Sequence, residues 1–455
     1  MTTASLPALD ELARRLREGA LRSLDLVEAA FAGRGASKDT VGPYKTWDPT
    51  LARRQADAAD AAFLAGVDAG ALQGIPISVK DLFGVAGWPT FGGTSSRLPA
   101  AWEQQGPVVD AVRSQLCVVM GKTHTVELAF GGLGTNPHWG TPRNPWDSKA
   151  HRVPGGSSAG AGVSLVEGSA LLAFGTDTAG SVRIPASMTG TVGLKTSYGR
   201  WPTEGIVPLS SSLDSVGVLA RTVRDVVFAF DAIEQGLFGR AATPVRPRAL
   251  PGCRIGLPER FFWENTSPGI DGAVKSAIDA LERGGAVIVP LELAATEEAY
   301  ELFLQGGLAG AEVAAFLQEA LPGVSEQLDP AVRDRIRAAE SMLATEYIHR
   351  CGRFAALGRA AAATLADVDA MVTPTVAISP PTVAELSELE TYRRCNILAL
   401  RNTSMANLLS LCAVSLPVGM DALGLPVGMQ LLAPLGGDAA LLSLAMAVEA
   451  ELSDR

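Results

Sequence analysis

Residues 154–186 read PGGSSAGAGVSLVEGSALLAFGTDTAGSVRIPA, two loops rich in glycine and serine on either side of an apolar run. The run at 170–174 has the composition of a short buried strand, and the flanking glycines mark turns. Short apolar runs among Gly, Ser, Thr and Pro continue in this way from about 74 to 235. This alternation of short apolar runs and turn residues predicts core strands that end in functional loops.

The segments outside this core have a different pattern. Residues 5–31 carry apolar side chains at helical spacing, and 294–366 is helical in pattern and rich in Ala, Glu, Arg and Leu. An amphipathic helix at 273–283 stops at two glycines and is followed by the strand AVIVP, which makes an α/β unit. After 367, strand and turn patterns return. One mixed α/β domain with a helical excursion is the simplest architecture.

Within this domain, which spans 1–455, we distinguish four parts. We expect N-terminal helices at 1–68, the core with the functional loops at 70–235, a variable helical insert or cap at 236–366, and the C-terminal part of the core at 367–455.

The composition narrows the classes of protein. The chain has 455 residues and a formal net charge of −10, and its 38 Lys and Arg residues are scattered. Because no basic patch is interleaved with aromatic residues, we expect no direct binding of nucleic acid. Five widely spaced cysteines without a CxxC pair favour a reducing, cytoplasmic setting. No apolar stretch reaches the roughly 20 residues that span a bilayer, so we expect no membrane segment.

Ser158 is one candidate nucleophile, because GSSAG matches the G-x-S-x-G elbow. That motif requires an apolar strand before the serine and, further on, an acid followed by a histidine. The preceding SKAHRVP is polar, and the downstream histidine, His349, lies in a helical pattern. Ser158 with His349 is therefore the weaker alternative. The four histidines also lack the spacing of a zinc site, so we predict no metal.

Ser181 is the other candidate nucleophile. The small residues around it allow backbone N–H groups to converge beside its hydroxyl, as in an oxyanion hole. Without a histidine, a lysine can act as the base if burial lowers its pKa toward neutrality. Lys80, in GIPISVKDLF at 74–83, follows an apolar run that would bury its stem, whereas Lys275 lies among polar neighbours.

Taken in order, these segments resemble the amidase signature family. The resemblance rests on PISVKD at 76–81, GGSSAGAG at 155–162 and GTDTAGSVRIPA at 175–186. It extends through GTPRNPWD at 140–147, VGLKTSYGR at 192–200, SSLDSVGVLAR at 211–221, VTPT at 372–375 and GLPVGMQLLAP at 424–434. It implies a central mixed, mostly parallel twisted sheet covered by helices on both faces, and it implies no cofactor.

The resemblance also implies a serine amidohydrolase. The family's catalytic lysine falls on Lys80, its bridging serine on Ser157 and its nucleophile on Ser181, and the Gly156–Ser157 peptide bond is expected to be cis. Neutral Lys80 draws a proton from Ser157, which draws one from Ser181. The Ser181 oxygen then attacks the substrate carbonyl and forms an acyl-enzyme.

Further residues of the two loops are expected to support this chemistry. The oxyanion is assigned to backbone N–H groups, those of Thr178, Ala179, Gly180 and Ser181. Ser158 is expected to support the site by hydrogen bonding, and Asp177 and Arg183 to orient the loop as an ion pair. Ala179 stands where many members of the family have glycine, so we expect it at negative φ.

The substrate class is inferred from the polarity of the expected pocket, whose side chains are mainly apolar. Its expected lining consists of Phe130, Gly131, Gly132, Leu133, Trp201, Ile206 and Leu209, with core packing as the alternative for each of them. This apolar lining favours a hydrophobic or aryl amide, and also admits a carbamate. A carboxylate-bearing substrate such as allophanate requires a free arginine in the pocket, and the sequence identifies none, because Arg143 and Arg183 are explained as scaffold.

Three other functions stay open at this point. They are an allophanate-type carbamoyl hydrolase, the glutamine amidase subunit of a tRNA-dependent amidotransferase, and a catalytically silent binding protein. The expected partner is a small-molecule amide or carbamate, and the expected assembly is a monomer or homodimer.

Overall fold

The computed structural model describes residues 6–34, 41–239 and 243–453. The other residues of the predicted segments 1–68, 236–366 and 367–455 lie outside the described part of the chain.

Eleven described strands form one sheet. In chain order they are β1 (Tyr44–Trp47), β2 (Pro76–Lys80), β3 (Val118–Thr123), β4 (Leu172–Asp177), β5 (Val192–Lys195), β6 (Ser215–Ala220), β7 (Arg254–Pro258), β8 (Val287–Leu291), β9 (Ala370–Pro374), β10 (Leu411–Met420) and β11 (Pro426–Pro434). Their order across the sheet is β1-β3-β2-β4-β6-β5-β10-β11-β9-β7-β8.

The described α-helices pack around this sheet. They are α1 (Leu9–Arg17), α2 (Ser23–Gly33), α3 (Pro49–Leu64), α4 (Pro107–Arg113), α5 (Ala159–Val166), α6 (Arg183–Thr189), α7 (Val223–Phe238), α8 (Ile270–Arg283), α9 (Ala295–Leu304), α10 (Ala309–Ala320), α11 (Pro330–Glu340), α12 (Ala344–Thr364), α13 (Leu389–Leu408) and α14 (Asp438–Ser453).

The sheet is mixed, as predicted, within a single α/β domain. Parallel pairing joins β2 to β3 and β4, and β7 to β8 and β9. The other six neighbouring pairs among the described strands are antiparallel. The expected predominance of parallel pairs is therefore wrong. One reason is that β10 and β11 are joined by a short turn, and a connection of that length permits only antiparallel neighbours.

Two groups of helices flank the sheet. α7, α8 and α14 pack together and against β10 or its neighbours, whereas α5 and α13 both pack on α6, which lies against β5, β10 and β11. The helices pack against the sheet because each has an apolar face. In α8, for example, this face is a buried stripe of Ile270, Val274, Ile278 and Leu281. Because both groups cover the middle of the sheet, strands such as β4 are buried along their whole length.

Two predicted segments differ in detail from the structure. The segment 236–366, predicted as a helical insert, also contributes β7 and β8 to the sheet, and its α-helices beyond β8 are α9 to α12. The segment 1–68 contains β1 besides its helices, paired with β3 at the sheet edge. Among the described residues, no helix has both the length and the apolar composition needed to cross a membrane.

Candidate active site

Lys80 occupies the last position of β2, a strand that is buried throughout. Its neighbour β4 runs parallel to it, which brings Thr176 beside the lysine. The Lys80 ammonium nitrogen lies 2.7 Å from Ser157 Oγ and 2.8 Å from Thr176 Oγ1. The apolar run of β2 thus carries a lysine into the core and holds it against a hydroxyl of the first glycine-rich loop.

Burial controls the charge of this lysine. The loss of solvent lowers the pKa of Lys80 from 10.5 to about 7, and the carboxylates of Asp214 and Asp177 only partly oppose this shift. A substantial fraction of Lys80 is therefore uncharged near neutral pH, which is the form that accepts a proton.

Ser157 and Ser158 lie where the first loop enters α5. The Gly156–Ser157 peptide bond is cis, so this expectation is confirmed. Ser158 N–H donates to Ser181 O at 3.2 Å, which joins the first loop to the second. Ser158 Oγ is buried and has no hydrogen-bond partner among the described residues.

Ser181 lies in the turn between β4 and α6. Gly180 before it has φ 131°, and a Cβ there would clash with Thr403 Oγ1, so only glycine fits. Ala179 is absent from the described residues with positive φ, as expected, and its carbonyl accepts from Thr403 Oγ1 at 2.7 Å. In the described structure the Ser181 hydroxyl makes no hydrogen bond to Ser157, and Ser181 lines a cavity.

The turn is held by a buried ion pair. Arg183 Nη2 lies 2.9 Å from Asp177 Oδ1, and both side chains are fully buried. The same guanidinium donates to Gln430 Oε1 and Asn407 Oδ1. Burial opposes ionisation of Asp177, but Arg183, together with Lys195 and the Val182 N–H, outweighs it and lowers the pKa of Asp177 to about 2. The expected pair is present, and it fixes both ends of the turn.

The backbone donors of the turn are not equivalent. Gly180 N–H donates to Asp177 Oδ1 at 2.8 Å, so it is engaged and does not point freely toward a ligand. Thr178, Ala179 and Ser181 N–H have no such acceptor among the described residues. Of the four predicted oxyanion donors, Gly180 N–H is thus already bound to the Asp177 carboxylate. The N–H groups of the other three remain available.

A cavity of about 430 Å³ opens onto Ser181. Its lining is mainly apolar and comes from residues 129–131, from the turn of Ser181, from the loop before β6, from the segment that carries α9 to α11 and from α13. It includes Thr178, Ala179, Phe130, Gly131, Leu209, Leu213, Leu304, Leu308, Met342, Ile397 and Leu400. Of the predicted pocket residues, Phe130, Gly131 and Leu209 are placed here. Helices of the segment 236–366 supply much of the remaining wall.

The other predicted pocket residues lie elsewhere. Trp201 is buried in the main core, where its Nε1–H donates to Glu234 at 2.6 Å. Ile206 belongs to the same core, and Leu133 packs in a smaller cluster. Gly132 is next to the cavity wall, where its N–H donates to Asn396 Oδ1. These four do not line the cavity, because the aromatic and aliphatic side chains among them are used for packing, the alternative that the sequence left open.

The alternative nucleophile has no histidine in this site. His349 is exposed on α12 and does not line the cavity of Ser181. Among the described residues, no group of three or more His, Cys, Asp or Glu side chains is suited to hold a metal ion.

Comparison with known proteins decides the family. The family model named Amidase matches residues 25–442, which is nearly the whole chain. The chain belongs to the amidase family.

Individual relatives and structures agree with this assignment to the amidases. The chain is 51% identical to 2-amino-5-chloromuconic acid deaminase of Comamonas testosteroni, over 97% of this chain and 96% of that protein. It is 35% identical to a glutamyl-tRNA(Gln) amidotransferase subunit from Ralstonia nicotianae, over 61% of this chain and 60% of that one. A crystal structure of an amidase superposes with a TM-score of 0.87 at 31% identity, over 98% of this chain and all of that one. The protein is an amidase-type hydrolase of C–N bonds.

Three residues of this amidase site were missed by the sequence analysis. Thr176 contacts Lys80, and Asp214 accepts from Thr178 Oγ1 and from Leu209 N–H beside it. Burial raises the pKa of Asp214 to about 6. The third residue, Arg335, reaches the cavity from α11. Asp214 lies within the motif at 211–221, which was a usable signal, whereas Arg335 lies in a helical pattern without one.

Proposed function

We propose that the chain is a serine amidohydrolase that cleaves its substrate through an acyl-enzyme on Ser181. The observation that carries this proposal is the buried hydrogen bond of 2.7 Å between Lys80 and Ser157. It joins a lysine with a pKa of about 7 to a hydroxyl in the loop that contacts the turn of Ser181.

The proposed proton path runs from Ser181 through Ser157 to Lys80. Uncharged Lys80 accepts the Ser157 proton while its own N–H stays bound to Thr176 Oγ1. Ser157 in turn accepts the Ser181 proton, and the contact between the two hydroxyls closes when substrate binds, as catalytic hydrogen bonds commonly do. The Ser181 oxygen then adds to the substrate carbonyl.

Collapse of the resulting intermediate uses the same groups in reverse. The free N–H groups of Thr178, Ala179 and Ser181 are the donors we assign to the developing oxyanion. Ser157 returns a proton to the leaving nitrogen, the C–N bond breaks and the acyl-enzyme remains. Water then releases the acid by the reverse path.

The substrate favoured by the cavity has an apolar body. Leu209, Leu213 and Leu400 are part of a lining with few polar groups. Hydrophobic or aryl amides fit this lining, and carbamates present the same carbonyl and C–N bond to Ser181. Each of these substrates releases an amine or ammonia that is measurable directly.

A second candidate reaction is deamination of an unsaturated amino dicarboxylic acid. It is favoured by the 51% identity to 2-amino-5-chloromuconic acid deaminase, over 97% of this chain. In such a compound the imine tautomer has a C=N carbon that Ser181 attacks in place of a carbonyl carbon. Water replaces the nitrogen, which leaves as ammonia, and a carbonyl remains.

Two alternatives from the sequence remain to be separated from this proposal. An allophanate-type hydrolase acts on a carbamoyl compound that carries a carboxylate. An amidotransferase subunit hydrolyses glutamine and works within a complex, and the match to the Ralstonia protein covers only 60% of that protein.

The test is a turnover screen with the purified full chain. The panel contains hexanamide, benzanilide, ethyl carbamate, allophanate, glutamine and 2-aminomuconic acid, with release of ammonia or amine as the readout. We expect turnover that disappears in Ser181→Ala and persists in the matched control Ser114→Ala, whose serine lies at the end of α4. Equal turnover by wild type and Ser181→Ala would contradict the proposal, and glutamine as the sole substrate would favour the amidotransferase alternative.

A further inference from the structure

Arg335 is the one cationic side chain among the described residues that line the cavity of Ser181. It lies on α11, is half-buried, and lines this cavity together with Ala338 and Ala339 from the same helix. Its guanidinium lies 4.2 Å from the centre of the Phe130 ring, and Nη2 donates to Phe130 O. Phe130 therefore holds the guanidinium in place with one face and one carbonyl.

The guanidinium has no carboxylate partner among the described residues. Two other arginines with low exposure have one: Arg183 pairs with Asp177, and Arg350 with Glu346. Buried Arg401, outside this cavity, donates instead to Asn402 Oδ1 and to Phe262 O. Arg337, two residues further along the same helix and exposed, pairs with Glu326. A guanidinium offers five N–H donors in a planar fork, and Arg335 uses one of them on Phe130.

An unpaired cation in such a place is costly unless something compensates it. Transferring a charged group from water to a protein interior without a counter-ion costs several kcal/mol of free energy. Burial lowers the pKa of Arg335, in keeping with that cost. The fork geometry matches a carboxylate, which binds it through two parallel hydrogen bonds. A carboxylate on the substrate would supply the missing partner.

We propose that Arg335 is the specificity-determining residue of this cavity and binds a carboxylate of the substrate, so that the substrate is an acid whose reacting C–N bond is joined to that carboxylate by a short apolar body. The inference rests on the proposed function in one respect, namely that the bond broken is a C–N bond attacked by Ser181. It replaces the expectation of a neutral hydrophobic substrate with that of an anionic one.

Asn396 supports this polar end of the cavity. Its Oδ1 accepts from Gly132 N–H at 2.8 Å, and the side chain lines the same cavity as Arg335. With Oδ1 engaged in this way, the NH2 group has no acceptor among the described residues and is the remaining donor. Arg335 and Asn396 thus add two nitrogen donors to a lining whose other polar side chains are Gln305, Thr178 and Ser181.

The experiment compares matched acids and neutral amides on the full-length enzyme. The acids are succinamic, glutaramic and adipamic acid; butanamide, pentanamide and hexanamide carry a methyl group in place of each carboxylate. The three lengths cover different distances between the reacting carbonyl and Arg335. The variants are Arg335→Met, which keeps the apolar stem, Arg335→Lys, which keeps the charge, and the control Arg337→Met on the exposed face.

We expect wild type to prefer the best acid over its neutral match by at least about 10-fold in kcat/KM. Arg335→Met should lower kcat/KM for that acid by about 30-fold or more, mostly through KM, and change the neutral match by less than about threefold. Arg335→Lys should recover part of the loss, and Arg337→Met should resemble wild type. Equal losses for acid and neutral amide would overturn the inference, because they would show that Arg335 only holds the Phe130 loop.

A binding measurement separates this inference from the proposed chemistry. Calorimetric titration of succinate, glutarate and adipate into the Ser181→Ala protein requires no turnover. We expect binding of at least one diacid, weakened about 10-fold or more by adding Arg335→Met. If this holds but no amide is hydrolysed by wild type, the proposed function fails and the carboxylate site stands. If wild type hydrolyses amides but diacid binding ignores Arg335, the inference fails and the proposed function stands.

Discussion

Lys80 Nζ lies 2.7 Å from Ser157 Oγ, and both side chains are fully buried. The contact places the Lys80 amine, whose pKa is about 7, next to a hydroxyl that is shielded from solvent. In the proposed mechanism, the reaction therefore depends on whether this one buried lysine carries a proton.

The first prediction concerns pH. In the proposed mechanism the uncharged form of Lys80 is the active one. Because the pKa of Lys80 is about 7, kcat/KM for a neutral amide should then rise as pH increases through 7 and level off. Lys80→Met should lower kcat/KM by about 10²-fold or more and remove this rise. The check is a pH–rate profile from pH 5 to 9. A profile that is flat across this range in wild type would contradict the assignment of Lys80 as base.

The second prediction concerns Asp214, whose negative charge favours the protonated form of Lys80. Asp214→Asn removes that charge, so the pKa of Lys80 should fall and the midpoint of the pH–rate profile should move to lower pH, by about one unit. Asp214→Glu keeps the charge and serves as the control. A midpoint that moves to higher pH in Asp214→Asn would show that the carboxylate does not act on Lys80 in this way.

The third prediction concerns the buried pair of Asp177 and Arg183. Arg183→Met leaves the Asp177 carboxylate buried without its partner, and should lower the free energy of unfolding by about 3 to 5 kcal/mol. Urea unfolding followed by circular dichroism measures this loss. Arg97→Met, at an exposed pair with Glu103, should cost less than about 1 kcal/mol. Similar losses for the two variants would mean that the pair does not hold the turn.

The fourth prediction separates the cavity from the core. Ile397 lines the cavity and is partly exposed, so Ile397→Ala should raise KM for hexanamide about 3-fold to 10-fold with little loss of stability. Trp201 is packed in the core, so Trp201→Phe should lower the free energy of unfolding by about 1 to 3 kcal/mol and leave KM unchanged. The opposite pattern would restore Trp201 to the substrate pocket.

The local sequence was sufficient where one segment determines both its conformation and its chemistry. The buried run of β2 predicts that Lys80 enters the core, and the small residues around Ser181 predict a tight turn after a strand. The pair of Asp177 and Arg183 lies within one such segment and was expected. The resemblance added the proposed role of Ser157, which no local pattern indicates.

The sequence was insufficient where distant segments meet. Whether an apolar side chain such as Ile206 faces a cavity or the core depends on elements far away along the chain, so the pocket was only partly predicted. The engagement of Gly180 N–H by a carboxylate follows from a turn geometry that composition does not specify. Arg335 becomes notable only because it has no acidic partner among the described residues, and a sequence does not reveal a missing partner.

The central claim is that Ser181 is the nucleophile, and covalent labelling tests it most directly. The native protein is incubated with a fluorophosphonate and digested, and the modified peptide is sequenced by mass spectrometry, with Ser181→Ala and Ser158→Ala treated in parallel. We predict one adduct, on Ser181, with loss of activity in proportion to labelling; it is absent from Ser181→Ala and retained in Ser158→Ala. An adduct on Ser158 in the wild type, or full activity with Ser181 fully modified, would contradict the account.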